Sequence, residues 1–431
     1  MFQNITKSVV AELVVGKSDS RKLRVVFINT ADVAGGAAIA ATRIADALVK
    51  YHGAEVLFLC DEKFSARKNV VRTRPKPLWF LEKSFNRIMC LLGAQYLWIP
   101  FSSAKIIECV KAFKPDLIHF HNLHGGYIDF KTMRELAGLA PIVWTLHDEW
   151  LLTAHCACFG TCRKWRDVCD ICPDHSAYPC LTRFFSYHQR KKREFLEAAK
   201  PLLVTPSRWL KDLAEQSSNA KMCDVVEISN PISFEKYKFI PGARAEFGFG
   251  ECDRVVLFSA AKFSDLIKGG DMLPELLKLL DERTEGGLHV IFVGRMNERF
   301  DDRFQRLRLH FAGSVPVEKV PFFYSLADLF VMLSREDNQP LTAIEALSCG
   351  VPICAFAVGG IPELAVPGET GSLIEPFDIG AMADEILKLL NDEKRLKKYS
   401  ENALELVRNR CDERVVAEKY YQAYLRKINS K

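Results

Sequence analysis

Apolar residues along this chain come in two alternating patterns: short unbroken runs, and longer stretches in which they recur every three or four positions. The runs at Val25–Asn29, Glu55–Cys60, Asp116–Phe120, Ile142–Leu146 and Leu202–Thr205 predict strands buried on both faces, as in a parallel sheet. The Ala-rich stretch Ala37–Lys50 has the helical period and follows a Gly35-Gly36 turn. After Val225–Ser229 and the turn Asn230-Pro231-Ile232 the alternation resumes. Arg254–Ser259, His289–Val293, Leu329–Leu333 and Ile353–Phe356 read as strands, and Ile379–Leu390, Glu393–Arg408 and Val415–Ile428 as helices. Strand and helix in turn predict the α/β class, with doubly wound, Rossmann-like domains.

At 431 residues the chain is too long for one core and suits two domains of about 200 residues each. Hydrophobic residues at 48% and charged residues at 26% are globular values. The net charge of +5 gives no ground for a nucleic-acid partner. No apolar run approaches the roughly 20 residues of a membrane span. Residues 1–22 carry no cleavage-site signature, so they are read as an extension of unassigned role and the protein as a cytoplasmic enzyme.

The densest chemistry lies between Asp328 and Glu363. Pro340 suits the first position of a helix, because its fixed φ fits there and its missing N–H has no partner to lose. That helix carries Leu341, Ile344 and Leu347 and stops at Gly350-Val351-Pro352. Its first N–H groups, around Asn338, Gln339, Pro340 and Leu341, can hold a phosphate. Asp337 before the helix and Glu345 within it can accept hydrogen bonds from sugar or ribose hydroxyls. Upstream, Lys262 and Lys268 sit six positions apart on a Gly-ended loop and can flank a diphosphate as point charges. Gly35 and Gly36 would let a ligand approach the backbone at the first helix start, or serve only as a tight turn.

In the first half, two strands end in histidine: one in His119-Phe-His121, the next in His147-Asp148. Ligands gather at the carboxyl ends of strands in open α/β sheets, so His121, His147 and Asp148 are candidate site residues. Six cysteines then crowd between Cys156 and Cys180. Cys169 and Cys172 have the metal-clamp spacing, and Cys156 and Cys162 could complete a tetrahedral set for a structural zinc. A labile or absent metal, and plain thiols or disulfides, stay open beside it. Four thiolates would leave zinc no open position for catalysis. A basic, aromatic stretch from Arg72 to Phe101 and a second segment, Arg190–Arg193, can be read as an anionic-membrane surface. Packing of apolar stripes into the core is the preferred reading.

The segment Lys262–Glu363 resembles the nucleotide-sugar site of the retaining glycosyltransferases of family 4, which have the GT-B fold. The similarity extends over the chain after residue 23, including its polysaccharide, colanic-acid-type subgroup with a Cys-rich insert, here 155–180. The family pattern is Glu, seven residues, Glu; Asp337 in the first place is one methylene shorter, which draws its oxygens back by about 1.5 Å. Lys262 stands where the family commonly has Arg. The resemblance implies an acceptor-side domain over 23–210, a nucleotide-sugar domain over 211–414 and a helix over 415–431 crossing back onto the first, with the domains facing across a cleft. It assigns His121 and Asp337 to catalysis, Gly36, Lys262, Lys268, Val315, Asn338, Gln339, Pro340, Leu341 and Glu345 to the donor, and Gly35, His147 and Asp148 to the acceptor side. The implied reaction moves a hexose from a UDP- or GDP-sugar to a glycan or lipid-linked glycan, without a metal cofactor. A nucleotide-sugar epimerase and a non-catalytic scaffold are the alternatives.

Overall fold

A computed structural model describes residues 22–74, 79–179, 181–296 and 304–430. The expected extension (through residue 21), residues 75–78 of the basic stretch, the Trp79 side chain and Cys180 lie outside the described residues. The chain divides into two compact units. The first runs to Ser229 and takes up the chain again from Val416; the second is Asn230–Val415.

The first unit is built on a seven-stranded sheet of β1 (Arg24–Ala31), β2 (Glu55–Glu62), β3 (Val70–Arg72), β4 (Leu117–Phe120), β5 (Ile142–Thr145), β6 (Leu202–Thr205) and β7 (Val225–Glu227). Its spatial order is β3-β2-β1-β4-β5-β6-β7, with every pairing parallel. The second unit has six strands: β8 (Arg254–Lys262), β9 (Leu288–Arg295), β10 (Leu307–Gly313), β11 (Leu329–Met332), β12 (Ile353–Phe356) and β13 (Gly371–Ile374). Their order is β10-β9-β8-β11-β12-β13, again parallel throughout.

Unbroken apolar runs are what such sheets need, because helices cover both faces. Successive side chains of a strand point to opposite faces. Accordingly Val26, Ile28, Leu57 and Ile118 join one buried cluster, while Val25, Phe27, Val56 and Leu117 join another. The second sheet splits the same way, with Val255, Leu257 and Phe330 on one side and Val256, Phe258 and Val331 on the other.

The helices of the first unit are α1 (Gly36–His52), α2 (Trp79–Leu91), α3 (Pro100–Phe113), α4 (Phe130–Leu139), α5 (Phe185–Ala199) and α6 (Arg208–Gln216). Those of the second are α7 (Ala243–Phe247), α8 (Leu273–Arg283), α9 (Val320–Leu326), α10 (Leu341–Ser348), α11 (Ile379–Leu390) and α12 (Glu393–Cys411). The last helix, α13 (Glu413–Asn429), buries Tyr420 and Tyr424 in the first unit. Among the described residues no helix is long and apolar enough to cross a membrane.

Four expectations change. The first unit ends at Ser229 rather than at residue 210, because α6 leads into β7, which pairs with β6 as a seventh strand. Pro340 caps α10 with extended ψ of 125° instead of opening it. The aromatic stretch is not core: Phe80, Leu81, Ile88, Leu91, Leu92 and Trp98 are exposed, although Tyr96 is buried. Nor is Arg190–Arg193 a continuous basic surface. Lys192 is fully buried, donates to the backbone carbonyls of Trp150 and Thr153, and is brought down by burial to a pKa of about 7.

Candidate functional site

The order of each sheet reverses direction once, between β1 and β4 and between β8 and β11. Loops leaving the carboxyl ends of such a strand pair splay apart and form the usual ligand crevice. In the second unit the β8 and β11 loops are held face to face. Arg335 N–H donates to the Ile267 carbonyl at 2.8 Å, and Lys268 Nζ pairs with Asp337 Oδ2 at 2.5 Å. Gly269, at φ 73°, makes the approach feasible, since a Cβ there would stand 1.9 Å from the Leu333 carbonyl oxygen. Asp337 is clamped from behind as well: Gly360 N–H donates to its carbonyl at 2.9 Å.

The helix α10 follows directly. Ala343 and Ile344 donate to the Pro340 carbonyl, so the N–H groups of Leu341 and Thr342 precede the first intrahelical acceptor. They carry the positive end of the helix beside Asp337. Gln339 is fixed by Asn230, whose N–H donates to Gln339 Oε1 at 2.6 Å and whose side chain donates to the Gln339 carbonyl at 3.1 Å. Glu345 is buried one turn into the helix, at 8% exposure. Burial, and then the Glu345 carboxylate, hold the Tyr324 phenol well above its ordinary range. Lys262 ends β8 and is exposed. Thus Lys262 ends β8 and Lys268 follows it, while Asp337, Asn338, Gln339, Pro340, Leu341 and Glu345 follow β11, the two strands of the switch point. Val315 follows the edge strand β10 and packs half-buried against the core.

In the first unit, Gly35 (φ 90°) caps α1 and Gly36 is its first residue, at the β1 side of the switch point. The β4 and β5 ends bring the histidines together. His121 Nδ1 and His147 Nε2 are 2.9 Å apart, and the two rings stack. His124 Nε2 meets Asp148 Oδ2 at 2.8 Å. Burial lowers His147 to about 4 and pushes His119 and His121 well below the ordinary imidazole range, so all three are neutral at pH 7. Burial alone would raise the Asp148 carboxyl, but its pair with His124 and the Trp150 N–H hold it below its usual range.

Sequence reasoning missed the layer behind these groups. His119 Nδ1 contacts the Tyr424 hydroxyl at 2.6 Å and His119 Nε2 the Thr145 hydroxyl at 2.8 Å, while Thr145 also meets Tyr420 at 3.0 Å. The tyrosine spacing on α13 was a visible signal, but not its target, some 300 positions upstream. Also missed is a cavity of about 470 Å³ between α2 and the Gly125-Gly126 turn, with Lys83, Asn86, Arg87 and Gln95 on its wall.

Cys156, Cys162, Cys169 and Cys172 line one small cavity together with His155 and form no disulfides with one another. No three of their sulfurs lie within 4.8 Å of one another.

Two doubly wound units with polar groups at both switch points define a GT-B-type architecture. Residues 34–236 match the family described as Glycosyltransferase Family 4, and residues 241–406 match Glycosyl transferases group 1. With these two matches in tandem, the chain belongs to the GT-B glycosyltransferases. It is 28% identical over 186 residues to the N-acetyl-alpha-D-glucosaminyl L-malate synthase of Bacillus anthracis, covering 42% of this chain and 48% of that one. It is 25% identical over 257 residues to the putative colanic acid biosynthesis glycosyl transferase WcaC of Escherichia coli, covering 56% and 60%. The chain thus spans about half the length of these curated relatives. HepE of Anabaena, solved with UDP-glucose, superposes with a TM-score of 0.65 at 17% identity, over 94% of this chain and all of that one.

Proposed function

We propose that this protein transfers a hexose from a nucleoside diphosphate sugar to a hydroxyl of a glycan or lipid-linked glycan, with retention at the anomeric carbon, in the synthesis of a cell-surface polysaccharide. One observation carries the reading: the crevice where Lys268, Asp337 and the start of α10 converge at the β8–β11 switch point. It joins cationic side chains, free helix N–H groups and carboxylates, the set that a sugar diphosphate requires. HepE is solved with UDP-glucose, and WcaC is named as a colanic acid biosynthesis glycosyl transferase, which supports a nucleoside diphosphate sugar, of uridine or guanosine, as the donor here.

In this reading the bond from the sugar's anomeric carbon to the diphosphate oxygen breaks while the acceptor oxygen bonds to the same face. The acceptor proton passes to the departing diphosphate. Negative charge grows on that leaving group, and Lys262, Lys268 and the N–H groups of Leu341 and Thr342 are arranged to meet it. Asp337 holds sugar hydroxyls, Glu345 the ribose, and neutral His121, with His147 behind it, the acceptor side. No step requires a divalent cation.

The exposed face of α2 supports a peripheral contact with anionic lipid. Phe80 (71% exposed) lines the 470 Å³ cavity with Lys83 and Arg87, and Leu91 (63%) at the helix end and Trp98 (58%) beyond it are exposed as well. An acceptor carried on lipid would arrive at this face.

A thermal-shift panel of nucleoside diphosphate sugars tests the donor site, because a ligand that binds the folded state raises its melting point. One uridine or guanosine diphosphate sugar is expected to stabilise the protein. Absence of a shift with every donor would sink the reading.

A further inference from the structure

The sequence segment 153–181 forms an insert whose backbone is pinned at Cys156, Cys162 and Cys169, while Cys172 is held through its sulfur, which also donates to the Asp174 carbonyl at 3.1 Å. Thr153 Oγ1 donates to the Cys156 carbonyl at 2.7 Å, and the Trp165 indole N–H to the Cys162 carbonyl at 3.0 Å. Cys169 N–H donates to Gln189 Oε1 of α5 at 2.6 Å. Cys172 Sγ lies 3.2 Å from His155 Nε2, and that ring is anchored through Nδ1 to the Pro179 carbonyl at 2.9 Å. All four thiols face one cavity walled by Phe159, Trp165 and Phe185, and Lys164 and Lys192 are close enough for their charge to act on these sulfurs.

Plain thiols are a poor explanation for this arrangement. Among the described residues the buried apolar side chains of the insert are Ala154, Trp165 and Leu181, with Phe185 of α5 packed on Ala154, Leu181, Cys169 and Cys172. That is too little apolar surface to order nearly thirty residues rich in turns. Cross-links or a metal normally supply the rest in such knots, and the cysteines described here form no disulfides. A Cys-x5-Cys-x6-Cys-x2-Cys series facing one cavity, with flanking ammonium groups, is the donor set of a closed zinc site.

We propose that Cys156, Cys162, Cys169 and Cys172 hold one structural zinc ion as four thiolates, with His155 as a hydrogen-bond partner of the Cys172 sulfur. In a tetrahedron with Zn–S bonds of about 2.3 Å the sulfurs stand about 3.8 Å apart. No three of the sulfurs are that close in this structure, so binding requires the Cys side chains to turn inward about χ1. The ion's role is mechanical. Glu149 N–H donates to the Ala157 carbonyl and Ala157 N–H to that of Tyr178, whose hydroxyl lies 3.2 Å from His124. A zinc knuckle there braces the wall that carries His124 and Asp148.

Metal analysis of the purified full-length chain, expressed in zinc-supplemented medium, is expected to find one zinc per chain. Cys169→Ser/Cys172→Ser should lose it, whereas His155→Asn and the distant control Cys223→Ser should keep it. Should the double variant fail to fold, native thiol titration of the unaltered chain decides. A chelator strong enough to strip zinc is expected to expose four additional reactive thiols and lower the melting temperature. No bound zinc together with chelator-insensitive thiols overturns the proposal. Zinc lost in His155→Asn but retained in Cys156→Ser overturns the four-thiolate set.

Discussion

Lys268 and Asp337 hold each other before any ligand arrives, at 39% and 13% side-chain exposure. A partly exposed pair of this kind contributes only about 0–1 kcal/mol to stability. In the proposed reading its value lies in pre-positioning a cation for phosphate beside a carboxylate for hydroxyls. Lys268→Ala is therefore expected to weaken nucleotide-sugar binding at least about tenfold, or roughly 1.4 kcal/mol, by titration calorimetry. Asp337→Ala should leave the melting temperature nearly unchanged and abolish most transfer in a radiolabelled-donor assay. Full transfer by Asp337→Ala would remove this residue from the reaction. The buried histidines make a second residue-scale case. The folded pKa of His147 is about 4, and His188 is likewise near 4 through burial. The unfolded chain takes up these protons near pH 6.5, before the native state does, so stability falls as pH drops from about 6.5 toward 4. Urea midpoints measured across that range should decline steadily, and His147→Gln should flatten the slope.

At the scale of elements, α13 meets β4 and β5 through two hydroxyls. Tyr424 meets His119 at the back of β4, and Tyr420 meets Thr145 at the end of β5. Tyr424→Phe keeps the ring packing and removes one buried hydrogen bond, at a cost of about 1 kcal/mol in denaturant unfolding. A change well below that would mean water replaces the hydroxyl. The α2 helix makes the contrasting case, with apolar side chains that the described residues leave exposed. Leu91→Glu/Leu92→Glu adds two charges at positions 63% and 56% exposed. It should abolish co-sedimentation with phosphatidylglycerol vesicles without lowering the melting temperature. Unchanged sedimentation would assign the face to another partner.

At the scale of the whole molecule, each unit has its own sheet and its own pair of buried clusters. The chain passes between them at Asn230 and again at Val416. Of the proposed donor groups, those from Lys262 to Glu345 belong to the second unit and Gly36 to the first. Hydrogen exchange with and without a bound nucleotide sugar should therefore show protection concentrated in residues 262–270 and 333–345. The β1–β4 ladder of the first unit should be unaffected. Protection confined to the first unit would place the donor elsewhere.

What could be read from the chain was whatever depends on local periodicity and turn chemistry. Leu202–Thr205, Ile353–Phe356 and Ile379–Leu390 have the predicted limits, because an apolar run or stripe bounded by turn residues is a local signal. Asp337, Pro340 and Glu345 were legible for the same reason, since helix start and carboxylates stand within nine positions, whereas the pairing of Lys268 with Asp337, 69 positions apart, was not. Short strands such as β3 and β13 carry too few residues to show a period. The tertiary structure alone decided which distant groups meet. It joined Asn230 to Gln339 and Tyr424 to His119, buried Lys192 and left Leu91 outside, because burial and hydrogen bonding depend on what the rest of the fold brings near, not on neighbours along the chain.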